Sequence, residues 1–468
     1  MNMDLISLIV NLPIDVRNVI IGYRPQIIFN LGKSELDKYD WFKLVKIIFS
    51  LKYEKALCTN DDLRKVYLHN CEKKSKIICG FPFTIVRSVS GRLMFCGNGV
   101  YDWIDLKLLG VREIVSSIGH TMIKLKDGTL LSWLYFGGYR VVDNSYKFGE
   151  FYHPLRDTPG DIAQIVNGFY HTIIRLKDGT LMGYGLNTSG ELGMGDTRNR
   201  TVFEIIKGLP KNIIDISCGN GFSFIMLDDG TTMSSGNNYV GQLGLGDNLG
   251  RTTFCVVKSV PKRIIKVICA MYHTIIRLTD GTLMSSGANS IGQLGLGDLK
   301  NRAVFEKIKL IKKNIVDIIS YHESTIIRLT DGTLMGCGNN SRGQLGVGNN
   351  PFYNSFCEIK GVPKNIAEVV SGYYHTIVRL TDGTLMSCGT NLHGELGLGD
   401  NTCRNFFEEI KGVPKNVVKV TCGSSHTVIL LSDGTLMASG YNDYGQLGVG
   451  DHSSRNIFSV MKITANIE

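Results

Sequence analysis

The chain has 468 residues, of which 43% are hydrophobic and 20% are charged, so it can bury a large core and is too apolar for intrinsic disorder. Its formal net charge of +9 is a mild basic bias over this length, which suits an acidic partner but does not by itself indicate nucleic-acid binding. No run of about 18 apolar residues is present, so we expect no membrane-spanning helix.

Residues 1–74 are predicted to form a separate segment, because they lack the Asp-Gly pairs and the regular spacing of the rest of the chain. In DWFKLVKIIFSLKYEKA, residues 40–56, the apolar positions are spaced for an amphipathic helix. The stretch from Leu12 to Val16, followed by Val19 and Ile20, resembles the start of an F-box, where a Leu-Pro pair precedes a short helix. A small helical cap is the alternative, and we favour it.

Repeated units occupy the chain from residue 75 to residue 468. The first unit, KIICGFPFTIVRSVSGRLMFCGNG at residues 76–99, matches residues 266–289 nearly piece for piece. Seven Asp-Gly pairs follow at a constant step of 51 residues, a period in the range of propeller blades. Their aspartates are Asp127, Asp178, Asp229, Asp280, Asp331, Asp382 and Asp433. The sequence therefore contains eight units, of which the first is shortened.

Each unit contains four strand-like segments, which in residues 363–412 are NIAEVV, HTIVRL, TLMSCG and FFEEIKG. We expect the Asp382-Gly383 pair to form a two-residue hairpin turn of type I′ between the second and third segments. A single four-stranded sheet cannot cover both its faces, whereas units that stack around a ring can. The predicted fold class is therefore all-β, a β-propeller of four-stranded blades, with an open solenoid as the alternative.

The unit resembles the repeat of the regulator of chromosome condensation family. The pattern is G-x-x-H-T, then L-x-D-G-x-L, then a glycine-rich loop, and in one unit it is carried by Gly372, His375, Thr376, Asp382, Gly383, Gly389, Asn391, Gly394, Glu395, Leu396, Gly397, Gly399 and Asp400. The resemblance implies a propeller of seven blades. Because eight units are present, either the ring has eight blades or one terminal unit lies partly outside a ring of seven.

Several repeated residues are predicted to be structural. Histidines at one repeat position lie on different blades and so cannot converge on one metal ion; we expect each to bond a neighbouring loop. They are His120, His171, His273, His375 and His426. The glycine-rich loops are expected to be close-packed turns between blades. Cysteine and serine share another position, which indicates a site for a small side chain, reduced thiols and a cytoplasmic or nuclear location.

Two features are candidate partner-binding surfaces. The unit from Leu130 to Asp161 keeps its length but replaces the glycine-rich loop with aromatic residues and arginine, the types enriched at interface hot spots. Its candidate residues are Trp133, Tyr135, Tyr139, Arg140 and Tyr146. Packing of these aromatics within a degenerate blade is the alternative.

The second candidate surface is a basic rim that could meet phosphates or an acidic protein. Arginines recur in register at Arg200, Arg251, Arg302, Arg404 and Arg455, and lysines at Lys207, Lys258, Lys309, Lys360 and Lys411. The alternative is a solvated rim on which the arginines pack against the aspartates of the glycine-rich loops.

The sequence shows no Ser-His-Asp, HExxH or paired-carboxylate spacing, so we expect a non-enzymatic interaction scaffold without a cofactor. Protein partners are expected on a propeller face, nucleic acid is left open, and no membrane association is expected. An F-box-like N-terminus would imply substrate recruitment for a ubiquitin ligase. The resemblance also implies, as an alternative, guanine-nucleotide exchange or chromatin binding. The founding member of the family exchanges nucleotide through an inserted β-wedge, for which the constant step of 51 residues leaves no room.

Overall fold

The computed structural model describes residues 77–80, 83–87, 93–97, 100–105, 111–117, 120–134, 153–155, 158–309 and 314–462, with only the backbone for 100–105, 133–134 and 153–154. The chain divides into two compact units, Met1–Lys76 and Ile77–Glu468. The predicted helical or F-box-like segment, residues 1–74, lies outside the described residues. Among the residues that are described, no helix is long and apolar enough to cross a membrane.

The second unit contains eight antiparallel sheets of four strands, each built from consecutive strands. Blades 1 and 2 contain β1 (Ile77–Cys79), β2 (Phe83–Arg87), β3 (Leu93–Gly97), β4 (Val100–Asp105), β5 (Val111–Ser116), β6 (His120–Leu125), β7 (Leu130–Leu134) and β8 (His153–Pro154). Blades 3 and 4 contain β9 (Ile162–Asn167), β10 (His171–Leu176), β11 (Leu181–Gly185), β12 (Arg200–Ile205), β13 (Ile213–Cys218), β14 (Phe222–Leu227), β15 (Thr232–Gly236) and β16 (Arg251–Val256).

Blades 5 and 6 contain β17 (Ile264–Cys269), β18 (His273–Leu278), β19 (Leu283–Gly287), β20 (Arg302–Lys307), β21 (Ile315–Tyr321), β22 (Ser324–Leu329), β23 (Leu334–Asn339) and β24 (Phe352–Glu358). Blades 7 and 8 contain β25 (Ile366–Ser371), β26 (His375–Leu380), β27 (Leu385–Gly389), β28 (Arg404–Glu409), β29 (Val417–Cys422), β30 (His426–Leu431), β31 (Leu436–Gly440) and β32 (Arg455–Val460). The all-β propeller prediction is confirmed, and the ring of described blades has eight members.

Contacts between blades 8 and 1 close the ring. The hydroxyl of Thr84 in blade 1 donates to the carbonyl of Gln446 in blade 8 at 2.8 Å and lies 3.0 Å from Nε2 of His426. Apolar side chains of β1 to β3 also share a buried cluster with those of blade 8, including Ile77, Val428 and Leu447. Closure of this kind removes the exposed ends that an open solenoid would have.

The repeated histidines connect neighbouring blades, and their structural role is confirmed. Nε2 of His171 lies 2.7 Å from Oγ of Ser223 on the next blade. Because that hydroxyl donates to the carbonyl of Glu191, it accepts the Nε2 proton of the histidine. His273, His375 and His426 contact hydroxyls of the next blade in the same way, and His120 does so through Nδ1. The partner is a strand hydroxyl rather than the loop expected from the sequence.

The Asp-Gly pairs form hairpin turns, but the predicted turn type is wrong. In blade 3 the Gly179 amide donates to the carbonyl of Leu176, and the Leu176 amide donates to the carbonyl of Thr180. The loop therefore has three residues, a type I turn followed by a glycine at a φ of 87°. Asp178 does not have a positive φ, so a type I′ turn does not form. The side chain of Asp178 instead accepts the Thr180 amide at 2.9 Å.

The glycine-rich loops of blades 3 to 7 pack against the fourth strand of the next blade, which agrees with the predicted close-packed turns between blades. A Cβ atom on Gly190 would lie 2.6 Å from the carbonyl oxygen of Arg251, which is closer than a side chain can approach. Since successive strands are antiparallel, these loops share one side of the ring with the loops between first and second strands. We call this side the loop face. The opposite side, with the Asp-Gly turns and the connections between blades, is the connector face.

Candidate functional site

The first strands enclose a cavity of about 220 Å³ on the ring axis at the loop face. Its wall consists of the ends of the first strands, and the residues that follow them, from blades 1–6 and 8. The wall includes the position where the sequence predicts a small side chain, occupied by Cys79, Ser116, Asn167, Cys218, Cys269, Ser320 and Cys422. Six of these seven side chains are cysteine or serine, so the repeat places mostly small side chains where the first strands converge.

An aromatic cluster borders this cavity on blades 6 and 7. The ring centroid of Tyr373 lies 4.3 Å from that of His322, 4.8 Å from Tyr374 and 6.4 Å from Tyr321. All four side chains are partly exposed. We call these four residues the axial aromatic cluster. Tyrosine offers a large, stiff contact area together with a hydroxyl, so such a cluster suits a binding surface.

Two coupled substitutions make room for the cluster in blade 6. In blade 3 a Cβ atom on Gly168 would lie 2.2 Å from Cε1 of His171, so a histidine at this position leaves little room for a side chain three residues earlier. The five blades with the histidine have glycine, alanine or serine there, whereas blade 6 has Ser324 in place of the histidine and Tyr321 in place of the small residue. The smaller serine therefore permits the larger tyrosine.

The turn that follows Tyr321 is conformationally unusual. His322 has a φ of 54°, which within the described residues is the one positive φ of a residue other than glycine. Backbone strain of this kind is concentrated at binding and catalytic sites. His322 also lies 3.6 Å, measured from Nδ1, from a carboxylate oxygen of Glu323.

The thiol, tyrosine and histidine side chains at the cavity favour their neutral forms at pH 7. Burial raises the pKa of the Cys79 and Cys218 thiols to about 12, so neither is a thiolate nucleophile. Burial, with smaller contributions from Tyr374 and Glu323, raises the pKa of Tyr373 to about 12. Burial also lowers the pKa of His322. Across the part of the chain that the structure describes, no group of three or more His, Cys, Asp or Glu side chains could hold a metal ion.

Further aromatic side chains extend the loop face beyond the cavity. The rings of His393 and Tyr441 lie 4.6 Å apart, and those of Tyr441 and Tyr444 lie 5.9 Å apart. Tyr239, in the glycine-rich loop of blade 4, is 77% exposed. The loop face therefore presents several separate aromatic anchors around one central cavity.

The predicted arginines begin the fourth strands, at the outer edge of the loop face. Each forms an ion pair with the aspartate four residues earlier, at N–O distances between 2.5 and 3.0 Å, in the pairs Arg200–Asp196, Arg251–Asp247, Arg302–Asp298, Arg404–Asp400 and Arg455–Asp451. The aspartates also accept loop amides, as predicted, for example that of Arg198 at 3.0 Å.

The lysines that the sequence grouped with these arginines lie on the other side of the ring. Lys207 follows the end of β12, whereas Arg200 begins it, so the two residues lie at opposite ends of one strand. The same holds for the other blades that carry both residues. The prediction of one basic rim is therefore wrong: the lysines are exposed on the connector face.

The predicted aromatic surface of blade 2 lies largely outside the described residues. Trp133 belongs to β7, where only the backbone is described, and Tyr135, Tyr139, Arg140 and Tyr146 fall in the segment between β7 and β8. The described ends of that segment, Leu134 and His153, lie on the loop face, where other blades have their glycine-rich loops.

Sequence reasoning missed the axial aromatic cluster. Ser324 departs from the repeated histidine, and Tyr321 departs from the small residue that other blades have three positions earlier. Comparing the two positions together would have found the exchange. The approach of Tyr373 to His322 could not be inferred, because it joins residues of two blades.

Comparison with known proteins identifies this architecture. A family model described as RCC1-like domain matches residues 206–467, more than half of the chain. Models for the regulator of chromosome condensation (RCC1) repeat match residues 178–226 and 162–191. Human WBSCR16 has a similar crystal structure, with a TM-score of 0.54, 23% identity and coverage of 67% of this chain and 85% of that one. At this identity the likeness shows the fold alone.

Curated relatives cover the chain in part. The Ultraviolet-B receptor UVR8 of Arabidopsis thaliana is 30% identical over 54% of this chain and 58% of its own length. The X-linked retinitis pigmentosa GTPase regulator of Mus musculus is 32% identical over 62% of this chain and 30% of its own length. The Probable E3 ubiquitin-protein ligase HERC6 of Homo sapiens is 28% identical over 58% of this chain and 28% of its own length. The chain thus spans less than two thirds of each of these relatives.

Proposed function

Because the chain belongs to the RCC1-like domain family, we propose that it is a non-enzymatic protein-interaction scaffold that binds its partner on the loop face. The observation that carries this proposal is the axial aromatic cluster, where blade 6 departs from the repeat beside the central cavity. Identical repeats present similar surfaces, so a specific partner needs a place where the symmetry is broken. Partly exposed tyrosines provide such a place together with anchors for a partner.

The two surfaces predicted from the sequence belong to the same proposed face. We place the segment between β7 and β8, with Trp133, Tyr135, Tyr139, Arg140 and Tyr146, among the partner contacts. The five arginines border the face, and their side chains are 10–25% exposed beside their aspartates. Their remaining N–H groups suit an acidic protein surface at the edge of the contact.

A finer role is substrate recruitment for a ubiquitin ligase. The support is the name of the human relative, a probable E3 ubiquitin-protein ligase, together with the F-box-like sequence of residues 12–20. The role predicts that ubiquitin-ligase core subunits co-purify with the full chain and are lost when Leu12 and Pro13 are both changed to alanine. Loss of the propeller partners in the same variant would contradict this division of roles. Nucleotide exchange or chromatin binding is the alternative.

The proposal is tested by affinity purification from an extract of the native cells with quantitative mass spectrometry. Tyr374→Ala and Tyr239→Ala remove anchors from the loop face, whereas Ile265→Ala removes an apolar side chain, 45% exposed, from the connector face. We expect at least a tenfold loss of specific partners with the two tyrosine variants and no loss with Ile265→Ala. Partners that survive both tyrosine variants, or that depend on Ile265, would place the interaction elsewhere.

A further inference from the structure

We propose that the axial cavity receives one large uncharged apolar side chain, that of leucine, methionine or phenylalanine, from an extended segment of the partner protein. The inference rests on the proposed function, since it names the part of the partner that the loop face recognises. It follows from the hydrogen bonding of the cavity wall, its lack of charge, its size and the surface around it.

Several polar side chains of the wall are already bonded within the ring, whereas Nδ1 of His322 is buried without a hydrogen-bond partner among the described residues. The hydroxyl of Ser116 lies 2.8 Å from that of Thr121. The amide of Asn167 donates to the carbonyl of Val115 at 2.9 Å, and its oxygen accepts the Thr172 hydroxyl at 3.0 Å. Ser116 and Asn167 use their polar groups in bonds to the strands of the ring, so they offer few free hydrogen-bonding groups to a polar side chain in the cavity.

The remaining small wall residues are bonded in the same way. The hydroxyl of Ser320 lies 3.1 Å from Nε2 of His273 and 3.2 Å from the Thr325 hydroxyl. The thiols of Cys79 and Cys422 point to carbonyls of the preceding blade at 3.9 and 4.0 Å. Thiols behave as small hydrophobic groups with weak hydrogen bonds, so the cysteines present a largely apolar surface to a bound side chain.

Among the residues that the structure describes, no aspartate, glutamate, lysine or arginine lines the cavity. A charged guest would lose its hydration without gaining a counter-charge, and this cost is large. An apolar side chain has no charge to desolvate, and the bonded wall groups keep their hydrogen bonds when it enters. The wall therefore selects an uncharged apolar group over a basic or acidic side chain.

The volume and the surroundings favour a protein side chain over a small-molecule ligand. A volume of about 220 Å³ is below the range of roughly 300–1,000 Å³ of ordinary small-molecule pockets, so it suits one side chain. Around it, the axial aromatic cluster and the exposed Tyr239 lie on the same face, where a bound polypeptide could contact them. Tyrosine hydroxyls there can donate to the carbonyls of an extended backbone.

The proposal can be tested by filling the cavity mouth. Ser424 lines the cavity at a repeat position that holds Phe169 in blade 3 and Met271 in blade 5, so this position accepts large side chains. We therefore choose Ser424→Trp as the blocking variant and Ser424→Met as a milder one. Asn220→Trp is the matched control, because it introduces the same residue at the same repeat position of blade 4 but does not line the cavity.

The binding probe is a phage-displayed library of random 12-residue peptides, selected on the immobilised full-length protein. We expect the enriched peptides to share one leucine, methionine or phenylalanine without flanking charge. Their affinity should fall at least tenfold with Ser424→Trp, should fall less with Ser424→Met, and should be unchanged with Asn220→Trp. Replacing the shared residue of the peptide with alanine should lower the affinity at least tenfold, and replacing it with lysine should abolish binding.

Enrichment of basic or acidic peptides, equal binding to Ser424→Trp, or a failure to enrich any peptide would overturn the inference. The outcome is separable from that of the proposed function. If native partners are lost with Tyr374→Ala but kept with Ser424→Trp, the scaffold role stands and the cavity anchor is wrong. If neither variant affects the native partners, the loop face is not the interaction surface, and both proposals fail.

Discussion

Mild acid should destabilise the propeller, because five buried histidines must remain neutral in the folded ring. Burial lowers the pKa of His120, His171, His273 and His426 to about 3 and that of His375 to about 4. A group whose pKa is lowered on folding binds its proton first in the unfolded chain. Stability is therefore present above pH 6.5 and is lost progressively as the pH falls from there toward 3.

The size of the effect follows from the shift. Between pH 7.0 and pH 5.5 an unfolded-state pKa of 6.5 makes each buried neutral histidine cost about 1.3 kcal/mol, and the five together cost about 6 kcal/mol. Glu191 and Glu395 act in the opposite direction, because burial raises their pKa and acid relieves the cost of their charge. Their effect lies between the ordinary pKa of 4.5 and the raised pKa of the folded state, and it offsets part of the loss that the five histidines cause.

Phenylalanine variants identify the histidines as the cause. Phe222 already occupies the histidine position of blade 4 and stacks over Gly219 as His171 stacks over Gly168. The double variant His171→Phe/His375→Phe should fold and should lose about 2.5 kcal/mol less than the parent between pH 7.0 and 5.5. Urea denaturation at the two pH values measures this difference. Equal losses in parent and variant would refute the reasoning.

Three further outcomes are expected. Glu191→Gln and Glu395→Gln should each raise the free energy of unfolding at pH 7 by roughly 1 kcal/mol, because glutamine removes a buried charge that other blades lack. The same denaturation assay should show a smaller gain at pH 4, and an equal gain at both pH values would contradict this. The chain should not accelerate release of labelled GDP from a Ran-like GTPase; a hundredfold acceleration at micromolar protein would show the opposite. Tyr321→Gly and Ser324→His should each destabilise blade 6. The double variant should be more stable than the sum of the two losses predicts, with a coupling energy of about 2 kcal/mol in a double-mutant cycle. Additive losses would show that the two positions are not coupled.

The sequence predicts the fold well, because the repeat expresses the same physical requirement eight times. The Asp-Gly step of 51 residues locates the hairpins, and the shortened unit at residues 76–99 forms blade 1. The turn type could not be read in the same way. An Asp-Gly pair suits both a two-residue type I′ turn and a three-residue loop with glycine last, and the backbone pairing of Leu176 with Thr180 decides between them.

The surfaces were predicted less well, because faces depend on where strands begin and end. Arg200 and Lys207 repeat with the same period, yet β12 lies between them and carries them to opposite faces. Periodicity alone shows that two residues recur and does not show on which side of a sheet edge they lie. The ion pairs of the arginines also depend on the loop conformation, which brings Asp196 back toward the strand.

The two kinds of departure from the repeat carry different information. Blade 4 replaces the histidine with Phe222 but keeps Gly219, so an aromatic ring still fills the same space and the packing of the ring is preserved. Blade 6 changes both positions: Ser324 is smaller than the histidine, and Tyr321 places an aromatic ring beside the axis. Both blades give up the histidine's bond to the next blade, but blade 4 keeps an aromatic ring in its place. Blade 6 does not, and it adopts a strained turn at His322. Such costs are typical of functional sites, so the paired change, rather than the aromatic residue alone, is the reason for proposing the loop face of blade 6 as a partner-binding surface.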